Sequence, residues 1–144
     1  MMTNSWGMVR CYEAFFHKQR YWIFMDFMDG GAFTDMVEDL NGNVSEEFCK
    51  YSLKMAFTGL LELHRRNIIH RDIKSDNILI KGNGDIKLGD FGYAVVLTQQ
   101  QKVRKSTVGT SCWMAPELII KDRTYNEKVD IWSMGIFAME LATG

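Results

Sequence analysis

Two short stretches concentrate the side chains able to do chemistry: His70-Arg71-Asp72-Ile73-Lys74-Ser75-Asp76-Asn77 and, thirteen residues past Asn77, Asp90-Phe91-Gly92. Together they bring carboxylates, a carboxamide and a lysine ammonium into one region of sequence. Moving a phosphoryl group onto a hydroxyl asks little covalent chemistry of a protein. It does ask for an acceptor for the hydroxyl proton and for divalent metal on the phosphates. Asp72 suits the proton, and Asn77 and Asp90 are the kind of hard oxygen donors, few in number, that Mg²⁺ takes while keeping waters and phosphate oxygens in its shell. Lys74, two residues past Asp72, can neutralise the γ-phosphate.

Other signals have plainer readings. Gly82-x-Gly84 lacks the third glycine of a phosphate-binding fingerprint, because Lys87 stands in its place, so it reads as a hairpin turn. Lys102, Arg104 and Lys105 form a short basic cluster inside a loop and read as solvated charges. His17 and His64 have no partner at metal-ligand spacing. Lys plus Arg number 17 against 18 Asp plus Glu, a formal net charge of -1, so no global field recruits nucleic acid. Cys11, Cys49 and Cys112 are odd in number and far apart, which argues against a disulfide framework or a zinc site and for reduced thiols in a cytoplasmic or nuclear setting. Apolar runs are only a few residues long, and Met1 to Ser5 carry no cationic region, so neither a membrane span nor a secretory leader is expected.

The elements that must position these groups follow one another without a linker or repeat. The 144 residues, 47% hydrophobic, suffice for one core. Aromatic and β-branched residues over 8–15 and 21–27 predict two antiparallel strands joined by His17-Lys18-Gln19-Arg20. Apolar positions Phe48, Met55, Ala56, Gly59, Leu60 and Leu63 predict a helix over 45–66, with Ser45 as its N-cap and Glu46 and Glu47 in its first turn. Ile78-Leu79-Ile80 and Ile86-Lys87-Leu88 flank turn residues and predict a second hairpin. Residues 93–115 show no sustained period and read as a long functional loop. A last helix over 128–142 is expected to bury Ile131, Trp132, Met134, Gly135, Ala138 and Leu141.

The chemistry-bearing stretches resemble the protein-kinase signature. The resemblance continues in Ala115-Pro116-Glu117 and in Asp130-Ile131-Trp132-Ser133-Met134-Gly135, which is similar to the helix supporting the catalytic loop in that family. It implies an α+β, protein-kinase-like fold, mostly the helical larger lobe (29–144, incomplete) with the last strands of the smaller lobe and the hinge (1–28). It also implies ATP and Mg²⁺ as cofactors, a protein substrate carrying Ser or Thr, and an upstream activating kinase as a further partner. His70 and Phe91 then become packing pieces. Lys74 and the Asp72-Ile73-Lys74-Ser75-Asp76-Asn77 form resemble serine/threonine kinases, as does Thr110, the substrate-docking residue of the pattern. Gly109-Thr110-Ser111-Cys112-Trp113-Met114-Ala115-Pro116-Glu117 is similar to the STE group, in its PAK-like and MST-like branches, with Ser111 where that group usually has Pro.

By the same resemblance Met25 is the gatekeeper, backbone groups of Asp26 and Met28 meet adenine, and Leu79 forms the floor of its pocket. Asp29-Gly30-Gly31 resembles the turn into the first helix of the larger lobe. Arg71 is the charge partner of a phosphate on the loop, with Ser106 aligned to the phosphorylated position and Thr107 its neighbour and rival. The glycine-rich loop, strand lysine and helix glutamate of the family are not found, the chain starting at what resembles the fourth strand. The helices that normally follow, one of which supplies an arginine partner for Glu117, are not found either. The expectation is therefore the middle of a catalytic domain, and two readings stand: a serine/threonine phosphotransferase, or a catalytically incompetent kinase-like module that binds or regulates.

Overall fold

The computed structural model describes residues 6–120 and 123–143. The amino-terminal stretch read above for a leader lies outside the described residues. Within them the chain runs β1 (Cys11–His17), β2 (Arg20–Met25), α1 (Phe33–Asp39), α2 (Glu46–Arg65), β3 (Ile68–Ile69), β4 (Ile78–Ile80), β5 (Ile86–Leu88), β6 (Val95–Val96), α3 (Pro116–Ile119) and α4 (Lys128–Thr143). The strands pair antiparallel as β1 with β2, β3 with β6 and β4 with β5. This is the α+β class expected.

The first hairpin is tighter than expected and shifted along the chain. His17 pairs with Arg20, leaving a two-residue turn in which Lys18 and Gln19 both take positive φ (50° and 59°), the conformation that matches strand twist. Met8 and Val9, read as strand, instead lie buried beside β5: the Leu88 N–H donates to the Gly7 carbonyl at 2.8 Å and the Val9 N–H to that of Leu88 at 2.9 Å. Gly7 makes this possible. Its φ is +89°, and a Cβ there would stand 2.6 Å from the Met55 carbonyl oxygen on α2, so no other residue fits between that helix and β5.

Helix α2 forms as its pattern predicts. The Ser45 hydroxyl accepts the Phe48 N–H at 3.3 Å, and Ala56, Gly59, Leu60 and Leu63 are buried on one face. That face meets β5 and α4, and Phe33, Leu60, Ile78, Leu88, Met134 and Phe137 join in one core. Helix α4 corrects the expected face: Val129, Asp130, Ser133, Met134 and Phe137 are buried, while Ile131 and Trp132 remain about half exposed (49% and 48%) and Gly135 is exposed. The helix is apolar nearly all round, so its sequence carries no single stripe. Its two buried polar residues are inside because the surrounding backbone needs them, Ser133 donating to the Trp113 carbonyl at 2.7 Å.

The segment 93–115 is less irregular than expected. Ile69 pairs with Val95 and Ile68 with Val96, and a 3₁₀ turn covers Ser111–Trp113. Two-residue strands leave no period to detect. Arg104, expected as a solvated charge, is built in: its backbone exchanges two hydrogen bonds with Tyr125 (2.9 and 3.0 Å), and its guanidinium reaches Gln101 Oε1 at 2.7 Å and the Val96 carbonyl. A second cluster of Ile69, Ala115, Leu118, Tyr125 and Val129 lies beneath this segment.

Candidate active site

The site is organised by a carboxylate with no exposure at all. Asp130, on α4, accepts the backbone N–H of His70 through Oδ2 and that of Arg71 through Oδ1, both at 2.8 Å, and Oδ2 also meets His64 Nε2 at 2.8 Å. Arg71 stands at φ +71°, a strained backbone for a β-carbon residue, and the Asp130 grip offsets that strain. The segment after β3 is thereby held in an irregular path that no helix or strand ladder would impose. His64 in this role was not legible in sequence; its only trace is a histidine at the C-terminal end of α2.

Asp72 follows directly. It is 6% exposed, and Oδ1 accepts both the N–H (2.9 Å) and the hydroxyl (2.6 Å) of Thr110. Asn77 Nδ2 donates to Asp72 Oδ2 at 3.0 Å and to the Asp72 carbonyl at 2.7 Å. Both partners are acceptors, so the carboxamide is oriented with its nitrogen inward and its oxygen turned away from Asp72. A carboxylate has about four lone-pair positions, and three are used here, which leaves one unused. Lys74 Nζ lies 3.6 Å from Asp76 Oδ2. Asp90 is exposed at φ +49°, with Oδ1 taking the Gly92 N–H at 3.1 Å, so its carboxylate projects from the end of the β4–β5 hairpin toward solvent.

His70 is fully buried and packs edge-on against Phe91, ring centroids 5.5 Å apart. Its Nε2 lies 2.8 Å from the Gly89 carbonyl and its Nδ1 3.3 Å from the Asp72 N–H, partners that together require the neutral ring with its proton on Nε2. Burial pushes its pKa below the ordinary imidazole value, against the Gly89 carbonyl and the surrounding carboxylates. It is a packing and spacing element, not a base.

On the opposite side of the strained backbone, the Arg71 side chain turns to the long segment. Nε donates to the Tyr93 carbonyl at 2.6 Å, and Nη1 to Ser106 Oγ at 2.8 Å and the Tyr125 hydroxyl at 3.0 Å. Tyr125 also donates to the Ser106 carbonyl at 2.7 Å. Ser106 is exposed and in contact with Arg71, whereas the Thr107 hydroxyl is turned to the Leu118 carbonyl at 3.1 Å. Tyr125 had no signature in sequence.

Met25 closes β2, half exposed, and Leu79 sits at the middle of β4 with its Cδ1 2.7 Å from where a Cβ on Gly89 would be. After β2 the Asp26 N–H donates to the Arg10 carbonyl at 2.9 Å and the Met28 carbonyl accepts from Gly31 at 3.1 Å. The Asp26 carbonyl and the Met28 N–H have no backbone partner among the described residues. Burial acts to raise the Asp26 carboxyl, but hydrogen bonds from Lys87, Tyr12 and the Arg10 N–H outweigh it and hold the pKa at about 2.

The sequence matches the protein kinase domain family over residues 2–144. Among similar curated proteins, the serine/threonine-protein kinase pakA of Dictyostelium discoideum is 44% identical over 100% of this chain, which covers 12% of that protein. The pakC kinase of the same organism is 50% identical over 85% of this chain and 26% of its own length. The shk1/pak1 kinase of Schizosaccharomyces pombe is 42% identical over 96% of this chain and 20% of its own. The chain thus spans between about an eighth and a quarter of the length of these relatives, and their names bear out the PAK-like resemblance.

Proposed function

This chain belongs to the protein kinase family, with serine/threonine kinases of the PAK type as its relatives, and we propose that it carries the centre that moves the ATP γ-phosphoryl group to Ser or Thr hydroxyls of proteins. The observation that carries the proposal is the Asp72 carboxylate, buried, anchored by Thr110 and Asn77, and keeping one acceptor position unused. In this role it takes the proton of the substrate hydroxyl as the oxygen attacks phosphorus. Lys74 balances charge on the transferred group, and Thr110 docks the hydroxyl-bearing segment while fixing Asp72.

The donor set fits Mg²⁺. Asn77 offers its carboxamide oxygen because its nitrogen is spent on Asp72, and Asp90 offers an exposed carboxylate; both are hard oxygen ligands few enough to leave room for phosphate and water. When bound, the metal neutralises charge developing on the phosphate oxygens. For the base, the Asp26 carbonyl and the Met28 N–H, neither with a backbone partner among the described residues, are the groups that would accept from the adenine amino group and donate to a ring nitrogen. Leu79 lies under the ring and Met25 at its back. Arg71 and Tyr125 receive a phosphate placed on Ser106 by an upstream kinase, with Thr107 the less favourable site because its hydroxyl faces away.

The test is transfer of labelled γ-phosphate to a Ser/Thr peptide by the full natural chain containing this sequence, beside an Asp72→Asn control. Transfer by the wild type and none by the control is expected. Equal signals from both would sink the assignment of Asp72, and no transfer by either would return the chain to the reading of a binding or regulatory module.

A further inference from the structure

Asp26 presents a puzzle that base recognition does not answer. Any residue supplies a carbonyl and an N–H, yet here the side chain is an aspartate, 9% exposed, with three donors on it: Lys87 Nζ at 2.5 Å, the Tyr12 hydroxyl at 2.6 Å and the Arg10 N–H at 3.1 Å. Pairing with β1 stops at Met25, and beyond it Phe27 is 82% exposed. One further backbone bond, from the Asp26 N–H to the Arg10 carbonyl at 2.9 Å, follows the strand pairing, and among the described residues neither Phe27 nor the Met28 N–H makes another. Besides that bond, the Asp26 carboxylate ties the segment to β1 through Tyr12 and to β5 through Lys87.

Lys87 occupies a telling position. It pairs across β4–β5 with Leu79 and lies three residues before Asp90 on the same strand and its continuation. One residue thus joins, through its ammonium, the Asp26 segment to β5 and, through its backbone, β5 to the strand of Leu79. The pair is largely dry, the Lys87 side chain being 19% exposed, so removing one partner leaves the other's charge uncompensated.

We propose that Lys87 and Tyr12 are positioning residues for nucleotide recognition, acting through the Asp26 carboxylate to aim the Asp26 carbonyl at the exocyclic amino group of adenine. This rests on the adenine-binding role proposed above. The competing explanation is an ion pair that stabilises the hairpin and nothing more. The two differ in what they predict for the base: a positioning role is selective for the amino group, whereas a stabilising role is blind to it.

The experiment measures dissociation constants for ATP and for purine riboside 5′-triphosphate, which lacks only the amino group, in the full natural chain and its Lys87→Met, Lys87→Arg and Tyr12→Phe variants. The wild type should prefer ATP. Lys87→Met should weaken ATP about 2- to 10-fold, the range of one neutral hydrogen bond, while changing the amino-free analogue little, so that the preference narrows. Lys87→Arg should restore most of it, and Tyr12→Phe should lose part in the same direction. Where Lys87→Met does not unfold cooperatively, Asp26→Asn takes its place, with amide exchange at Asp26 faster than in the wild type as a second readout. An unchanged ATP preference in the variants, or equal losses for both nucleotides, overturns the inference and leaves the adenine site standing. A wild type that binds neither nucleotide overturns the adenine site itself.

Discussion

Thr110 donates both its backbone N–H and its hydroxyl to the same oxygen of Asp72, at 2.9 and 2.6 Å. The two residues are 38 apart in sequence, so this contact ties the end of the long segment to the proposed proton acceptor. Any displacement of Gly109-Thr110 is therefore felt at Asp72. Gly109, at φ +115° with the Arg71 carbonyl where a Cβ would sit 2.3 Å away, keeps that approach close.

Replacing Thr110 by Val should keep the fold and remove the hydroxyl donor. A hydrogen bond to a charged group is worth about 1.5–3 kcal/mol, so kcat for peptide phosphorylation should fall about 10- to 100-fold, with the melting temperature lowered by several degrees. Thr110→Ser should retain most of the rate. A Thr110→Val protein as active as the wild type would show that the Asp72 carboxylate needs no such anchor.

Asp130→Ala removes an acceptor from His64, His70 and Arg71 at once. The buried N–H of His70 and the partly buried N–H of Arg71 are orphaned and the positive φ of Arg71 loses its support, so a loss of about 3 kcal/mol is expected from urea unfolding at neutral pH. A loss under ~1 kcal/mol would mean that the catalytic segment is held mainly by its apolar neighbours, Ile69 and Ile73.

How much of this was legible beforehand follows from the kind of signal each feature leaves. Helix α2 and the β4–β5 hairpin carried their own period, cap and turn residues, and Asp72, Asn77 and Asp90 stood out because oxygen ligands at fixed spacing are chemically distinctive. Helix α4 misled because a nearly all-apolar helix has no stripe, and its inward face was decided by the demand of backbone donors for Asp130. His64, Tyr125 and Lys87 were invisible for another reason. Each acts through a contact between distant segments, and a lone histidine, tyrosine or lysine in sequence gives no hint of its partner. Lys87 stood out only as a strand position and for not being glycine.

The His70 ring gives a pH dependence of known sign. Burial lowers its pKa in the folded chain from the ordinary 6.5, so below that pH the unfolded chain takes up a proton that the folded one resists. Stability should be flat above about pH 7.5 and fall as the pH drops below about 6.5, before carboxylates begin to titrate. Urea unfolding at pH 7.5 and 5.5 checks this, and His70→Gln, which keeps an N–H for the Gly89 carbonyl, should show a smaller difference between the two pH values. An equal difference would place the titrating group elsewhere.

Ser106 and Thr107 are adjacent, but only Ser106 touches Arg71 and Tyr125. A phosphate on Ser106 adds nearly two negative charges and three acceptor oxygens beside a guanidinium that already donates to Tyr93 and Tyr125. The new charge-assisted bonds would draw the loop onto Arg71, whose backbone N–H is in turn gripped by Asp130, so the phosphate is linked to the geometry of Asp72 by a short path. A phosphate on Thr107 would first have to break the hydroxyl's bond to Leu118 and rotate outward. Phosphatase treatment should therefore lower the rate of the wild type and of Thr107→Ala about 10-fold or more, as expected for losing a hydrogen-bonded charge pair, and should leave Ser106→Ala unchanged at the low rate. Tyr125→Phe should lie between them, because one donor to the phosphate is lost and Arg71 is kept. Mass mapping of the active protein decides the site directly: phosphate on Thr107 alone, with full activity in Ser106→Ala, would reverse the assignment and require the loop to rearrange around Arg71.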